Sequence, residues 1–400
     1  MKKVLFLAAA SLVCICARAQ EYSDPFGVLR PRNPLSFEYS SDFDYYFENR
    51  EFDFGTPSPM ESSTVHGVVL SPSAGFGLHQ GNTVSHRLTV GMDIRRNMGE
   101  GPLDIRVLDE LTMHYDGHLR LRNGAVFEGI LGVFPRRFSE GEYGEAFFSD
   151  AHRFQDRNLD GTLLKYRAVR FYAEIGADWL GMKKEDSRER FMILSAGNWK
   201  VAPWMELGWA GTFYHYAGSE TVRGVVDNNL VNPYVRVDLA GGLPMQELSL
   251  KAGGLLSYQW DRRQDGKRFP AGVQAIFTAR KWNVLLRDTF YRGDVLQIYY
   301  NDTDLAGNLY GSALYFGSPF YQCGRYNLLE AGWNPWISDC ISLDIRFRFH
   351  FGAGGFMGWQ QQLGFLFDLD RIRHPDWGAG RTGKARMPRR HRNNGNLIYM

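Results

Sequence analysis

The chain has 400 residues, 44% of them hydrophobic and 22% charged, with a formal net charge of +2 and a negative mean hydropathy. These values suit an ordinary soluble protein, but 44 Gly, 28 Phe, 20 Tyr and 10 Trp are high. Beyond the N-terminus no segment holds the roughly 18 apolar residues of a membrane helix, and only Cys323 and Cys340 lie outside the first twenty residues, which excludes a helical membrane protein and a disulfide-stapled fold.

Lys2 and Lys3 precede the apolar run Val4 to Ile15, and Ala17-Arg18-Ala19 supplies a small-x-small cleavage site before Gln20. Residues 1–19 therefore read as a secretory signal peptide, too short and wrongly flanked for a permanent span. Lipoprotein processing at Cys14 or Cys16 is disfavoured, because Val13 and Ile15 are bulky where that processing wants a small residue. Residues 20–41 are expected to be an N-terminal periplasmic segment.

From residue 42 the pattern changes to strands. His86 to Arg95 sets Leu88, Val90, Met92 and Ile94 against Arg87, Thr89, Asp93 and Arg95, and the same period recurs in Tyr234 to Leu239, Leu248 to Trp260 and Met357 to Leu369. It is clearest in Ile341 to Phe351, where Ile341, Leu343, Ile345, Phe347, Phe349 and Phe351 alternate with Ser342, Asp344, Arg346, Arg348 and His350. A soluble sandwich strand alternates in the same way, so the period alone establishes strand and not membrane. Repetition along the whole chain, long strands, no helical period and no second apolar face point to a closed barrel.

The predicted strands are 42–53, 64–77, 84–95, 107–121, 125–136, 160–167, 170–180, 190–199, 204–216, 231–241, 246–260, 271–280, 283–291, 322–333, 340–351 and 357–369. Short links at Leu78 to Thr83, Arg122-Asn123-Gly124, Ala168-Val169, Lys200 to Pro203, Gly242 to Met245, Lys281-Trp282 and Asn334 to Asp339 alternate with longer ones. That is the habit of outer-membrane barrels, whose turns are short on one side and loops long on the other. The expected fold is thus all-β, a transmembrane antiparallel barrel over residues 42–369 with about sixteen strands. Without the division at Ala168 the alternation breaks, and fourteen strands is the alternative. Trp199, Trp204, Trp282, Trp333 and Trp336 fall beside short turns, as an interfacial girdle would, although tryptophans also pack at strand ends in other β proteins.

Gln362 to Leu369 (QLGFLFDL) resembles the terminal-strand signal of outer-membrane barrels, departing from it in Leu369, where an aromatic is usual, and in the residues that follow. In organisation the chain resembles the porin-like barrels of Bacteroidota, a likeness that reaches no family of known substrate. The resemblance implies residence in outer-membrane lipid of a Gram-negative cell and handling by the outer-membrane assembly machinery. Charge divides the chain, with a net of about −8 for residues 20–370 and about +7 after Asp370. The tail 370–400 lacks an apolar period and is expected to be disordered, either merely solvated or in contact with acidic cell-wall polymer or periplasmic partners. Export argues against nucleic acid as a partner, and the strand pattern fixes no oligomeric state.

Strand parity places Arg87, Asp93, Arg95, Glu110, His114, Glu174, Asp178, Arg236, Asp238, Lys251, Asp344, Arg346, Arg348 and His350 on the lumen side. They could set selectivity in a channel or pair with one another in a plugged barrel. In the loop Arg292 to Tyr321, Asp294, Asn301, Asp302, Asp304 and Asn308 are mixed with Tyr299, Tyr300, Tyr310, Tyr315 and Tyr321. This suits a loop folded into the barrel mouth, the preferred reading, or one that binds glycans. No cofactor is expected. Asp156-Arg157-Asn158-Leu159-Asp160-Gly161 matches the first half of a calcium loop, with Asp156, Asn158 and Asp160 as ligands, but position twelve is Arg167 rather than Glu.

Enzyme signatures are lacking: there is no G-x-S-x-G, H-E-x-x-H, P-loop or zinc set. His114 and His118 would stand about 13 Å apart on one strand face, too far to share an ion. Cys323 and Cys340 fall at opposite ends of neighbouring strands and are expected to be unpaired. The functional readings rank as a porin-like channel for small polar solutes, then a non-conducting receptor or scaffold barrel for glycans or partner proteins, then an outer-membrane hydrolase.

Overall fold

The computed structural model describes residues 35–368 apart from 53, 82, 100–107, 265 and 339. The leader 1–19, residues 20–34, Leu369 and the tail 370–400 lie outside the described residues.

Sixteen strands form the wall: β1 Leu35–Glu51, β2 Ser63–Gln80, β3 Val84–Asn97, β4 Leu108–Arg120, β5 Val126–Pro135, β6 Asn158–Arg167, β7 Phe171–Gly181, β8 Arg190–Ala202, β9 Met205–Tyr216, β10 Val226–Asp238, β11 Glu247–Asp261, β12 Ala271–Lys281, β13 Val284–Gly293, β14 Arg325–Trp333, β15 Ile341–Gly352 and β16 Gly355–Asp368. A three-residue piece, Trp336–Ser338, pairs only with β15 and extends its turn. Every strand runs antiparallel to its chain neighbours. β16 returns to β1, from Asp42 opposite Asp368 to Glu51 opposite Trp359, so the ring closes without an edge.

The division at Ala168 is present: β6 ends at Arg167 and β7 begins at Phe171, with the Ala168 N–H donating to the Phe171 carbonyl at 2.8 Å. Several boundaries differ from the sequence reading, among them the start of β10 at Val226 rather than residue 231 and of β14 at Arg325 rather than residue 322. β1 starts at Leu35 rather than residue 42, pairing with β2 from Leu35 opposite Leu78, because Leu35, Phe37 and Tyr39 carry the outward face that much further. The last link on the long-loop side is also a two-residue turn, Ala353-Gly354, which the positive φ of Gly355 (112°) permits. At the other end, Trp282 and Asn283 both have positive φ (52° and 62°), which fits the primed two-residue turn of tight hairpins.

The inside-out distribution of side chains defines the environment. On β4, Leu111, Met113 and Tyr115 are exposed while Thr112, His114, Asp116 and His118 are buried, the inverse of a soluble protein. Leu88, Val90, Leu131, Ile175, Phe213, Leu250, Val273, Leu286 and Phe347 continue the apolar belt around the ring. Trp199, Trp204, Trp282, Trp333 and Trp336 are all exposed beside the short turns, and Phe54, Trp179 and Phe269 stand towards the opposite rim. The barrel therefore spans lipid. Leu131, 57% exposed midway along β5, tests this: Leu131→Arg should cost about 2–4 kcal/mol in urea unfolding from lipid vesicles. A cost under about 0.5 kcal/mol, as on a water-facing surface, would count against lipid contact there.

Cys323 and Cys340 are both free, the first just before β14 and the second just before β15, at opposite ends of that hairpin.

Candidate functional site

The lumen owes its shape to the 22-residue connection between β5 and β6, residues 136–157, which turns inward at Pro135. Its short helix α1, Asp150–Gln155, is capped by the Ser149 hydroxyl, which accepts from the His152 N–H at 3.2 Å. Tyr143, Phe147 and Phe148 are buried in one cluster with Ile130, Phe134, Leu163, Met192, Leu194 and Leu230 of the wall. The inner face from β5 to β10 is thus locally apolar, and burial of aromatic surface holds the loop against it.

Ionic contacts fasten the same loop to three further places. Glu174 on β7 accepts from the Ser139 hydroxyl (2.6 Å) and the N–H groups of Glu140 (2.8 Å) and Gly141 (3.0 Å). Glu142 is met by Arg236 of β10 and, at 3.1 Å, by Lys251 of β11; Arg236 also holds Glu206 at 3.0 Å. Arg348 of β15 binds Glu145, Asp150 (3.3 Å) and Glu330 of β14 (3.4 Å). Around it, Arg346 pairs with Asp344, and the His350 ring contacts Tyr326 and Gln360, each at 2.8 Å.

Burial works against ionisation of Glu142, but Arg236 and Lys251 outweigh it and hold the carboxyl at about 2, below its ordinary 4.5. A depressed folded value means that this contact contributes its full stability above pH 4.5 and loses it as pH falls towards 2. The contribution is on the order of 3 kcal/mol. Unfolding of the wild type should therefore ease between pH 4.5 and 2 more than that of Glu142→Gln, measured as the difference between the two urea midpoints. Equal pH dependence would refute the role of this carboxylate. His152, stacked on Phe316 at 4.5 Å, is held neutral by burial and by Arg136, its value lowered to about 3.

A second connection, 294–324 between β13 and β14, also folds into the mouth, as the preferred sequence reading had it. Gln259 of β11 fixes it, accepting from Tyr315 (2.6 Å) and donating to the Leu296 carbonyl (2.5 Å). Two backbone bonds join it to the first loop: Ser149 N–H to Phe316 O (2.8 Å) and Ser318 N–H to Glu145 O (2.7 Å). The glycan reading fares differently residue by residue. Tyr299 is buried in the core, and its N–H donates to the Tyr315 hydroxyl. Asp304 is buried by Arg188 (2.6 Å) and by the N–H groups of Ala306 and Asn308. Asp294 accepts from the Ala271 N–H, Tyr300 stacks on Tyr315, the Asp302 carbonyl accepts from the Tyr310 N–H, and Asn301 alone of the six is exposed without a contact described above. Asp294, Tyr299, Tyr300, Asp302 and Asp304 thus take part in holding the loop.

Most lumen-parity residues do face inward, and they are paired. Arg87 bridges Glu38 (2.6 Å) and Asp116 (3.4 Å). Asp93 accepts from Ser71 (2.5 Å) and Asn158 (2.9 Å), Arg95 meets Asp109 at 2.8 Å, and Asp178 meets Arg136 at 3.0 Å. Asp238 departs from the expectation: at the end of β10 it is exposed and caps the turn through the Ala240 N–H. The stretch with calcium-loop spacing falls largely on a strand. Asn158 and Asp160 lie in β6, where Asn158 points its amide nitrogen at Asp93 and Glu110, and Asp156 binds Arg136 at 2.9 Å. Gly161 continues the strand opposite Gly132 instead of turning around an ion. Among the described residues no three His, Cys, Asp or Glu converge on a metal position.

Solved structures now supply a comparison. OmpT of Vibrio cholerae with loop L8 deleted, an outer membrane protein, superposes with TM-score 0.52 at 9% identity over 84% of this chain and 100% of that one. In-vitro folded OmpT of the same organism gives 0.50 at 8%, over 86% and 100%. The fold is that of outer-membrane barrels. Salmonella typhi OmpF in complex with daunomycin aligns at 7% identity and TM-score 0.47 over 84% and 98%. No protein-family model and no curated protein matches the chain.

Sequence reasoning missed the loop 136–157, which supplies Glu140, Glu142, Glu145 and Asp150 to the wall arginines and lysines. The available signal was its composition: four acids and three buried aromatics between Glu140 and Asp150 are unusual for a solvated loop.

Proposed function

We propose that this protein resides in the outer membrane and acts as a porin-like channel for small polar solutes, narrowed by the inward loop 136–157. The observation that carries the reading is that charges of both signs beside the loop keep contact with solvent inside the barrel. Side chains of Arg137, Glu140 and Arg236 are 30%, 34% and 25% exposed although they contact the loop or belong to it. Opposed fixed charges at a constriction hold water and admit polar solutes while excluding apolar ones. The likeness to outer-membrane barrels supports the location, and the leader 1–19 and the terminal-strand signal agree with export and delivery to the assembly machinery. The Bacteroidota type is proposed on the organisational resemblance, and no enzymatic role or cofactor is proposed.

Purified protein in planar bilayers should give stepwise conductance. Folded protein that inserts but never conducts would overturn the channel. It would favour the second reading, a receptor or scaffold barrel, for which the specific support is the second inward loop packed on the first through Phe316 and Ser318.

A further inference from the structure

Between the loop root and β2 to β3 lies a cavity of about 70 Å³. Arg136 and Arg137 enter it from the start of the loop and Arg153 and Arg157 from its end, so folding brings four guanidinium groups to one small space. Asp93 is the one carboxylate that lines it, and both of its oxygens already accept, from Ser71 (2.5 Å) and Asn158 (2.9 Å).

The carboxylates that pair with three of these arginines stand outside the cavity lining. Arg137 pairs with Asp42 at 2.5 Å, Arg157 with Asp44, and Arg136 with Asp156 (2.9 Å) and Asp178 (3.0 Å). Arg153 has no ion pair among the described residues: its Nε donates to the Phe148 carbonyl at 3.4 Å and its Nη2 to the Tyr143 carbonyl. The Arg136 Nη1 is buried without a hydrogen-bond partner. A buried guanidinium donor left unpaired is costly, and planar forks with spare N–H groups match the geometry of an oxyanion.

We infer that this cavity is a binding site for a small oxyanion, a carboxylate or phosphate group, held by Arg136 and Arg153 with Arg137 and Arg157 beside them. The inference deepens the channel reading by naming the class of solute that pauses beside the constriction. A transient site of this kind raises the local solute concentration, and weak binding allows release.

Calorimetry on the full chain in detergent would test it, with sodium phosphate, sodium acetate and choline chloride as separate probes, alongside bilayer conductance in the same salts. Saturable heat with phosphate or acetate and none with choline is expected, and which of the two anions binds identifies the source of the oxyanion. Arg153→Gln should weaken that binding at least about tenfold, equivalent to about 1.4 kcal/mol. Arg137→Gln, at a partly exposed position, should weaken it severalfold and serves if Arg153→Gln does not fold, folding being judged by heat-dependent gel mobility. Conductance with no saturable anion binding would overturn the site and leave the channel. Anion binding without conductance would support the site and overturn the channel. Binding unchanged in both folded variants would overturn the assignment of the arginines.

Discussion

Arg348→Ala is expected to destabilise the barrel by about 3–5 kcal/mol, because removing one partner of a buried ion-pair group strands the others. Arg348 is almost fully buried and faces Glu145 and Asp150 of the loop and Glu330 of β14. With the guanidinium gone, three carboxylates confront one another inside the barrel, with Arg287 still 3.4 Å from Glu330. Loss should fall first on the loop, since the wall is held by backbone pairing around a closed ring. Arg348→Lys retains the charge without the fork and should recover only part of the stability. Urea unfolding from vesicles gives the first number, and proteolysis between residues 140 and 148 reports whether the loop has come away. A cost below about 1 kcal/mol, the level of an exposed pair, would mean that the contact does not latch the loop.

Replacing residues 140–148 with a Gly-Ser segment of equal length should enlarge the conducting step, roughly twofold or more, since a sixteen-stranded ring without inward filling encloses an aqueous channel. The replacement removes Glu142 and Glu145, hence the contacts to Arg236, Lys251 and Arg348, together with the buried rings of Tyr143, Phe147 and Phe148. It leaves the strand pairings and the lipid belt untouched. Equal conductance in the variant and the parent would show that the loop does not limit the path, and the channel reading would need another constriction. Ser149 and Ser318 link the two loops through Phe316 and Glu145, so the step should also become noisier as the second loop loses its support.

The wall was legible because a strand has period two and the barrel must present apolar atoms to lipid along all of it. Leu88, Val90 and Met92 on β3, or Ile345 and Phe347 on β15, declare their face without reference to any partner. The division at Ala168 was legible for a related reason: only an even ring preserves the alternation of short and long links. Asp238 shows the limit of parity, since its position on the lumen side says nothing about whether the strand still has a lumen at that height. Asp156, Asn158 and Asp160 show the limit of a local motif. Their spacing matches the first half of a calcium loop, but Asp93 and Glu110 take up the Asn158 amide and Arg136 the Asp156 carboxylate.

By itself, then, the sequence determined the closed antiparallel barrel of about sixteen strands, which face meets lipid and that two cysteines stay apart. Each of these follows from short-range periodicity and from the demand that every backbone group in lipid be paired. Only the tertiary structure decided what fills the barrel. The contacts that join the loop to Glu174, Arg236, Lys251 and Arg348 of the wall span about 30 to 200 residues of the chain. No periodicity encodes which wall arginine a loop carboxylate will meet; that is chosen by the closure of the ring and the burial of three aromatic rings against an apolar sector of its inner face.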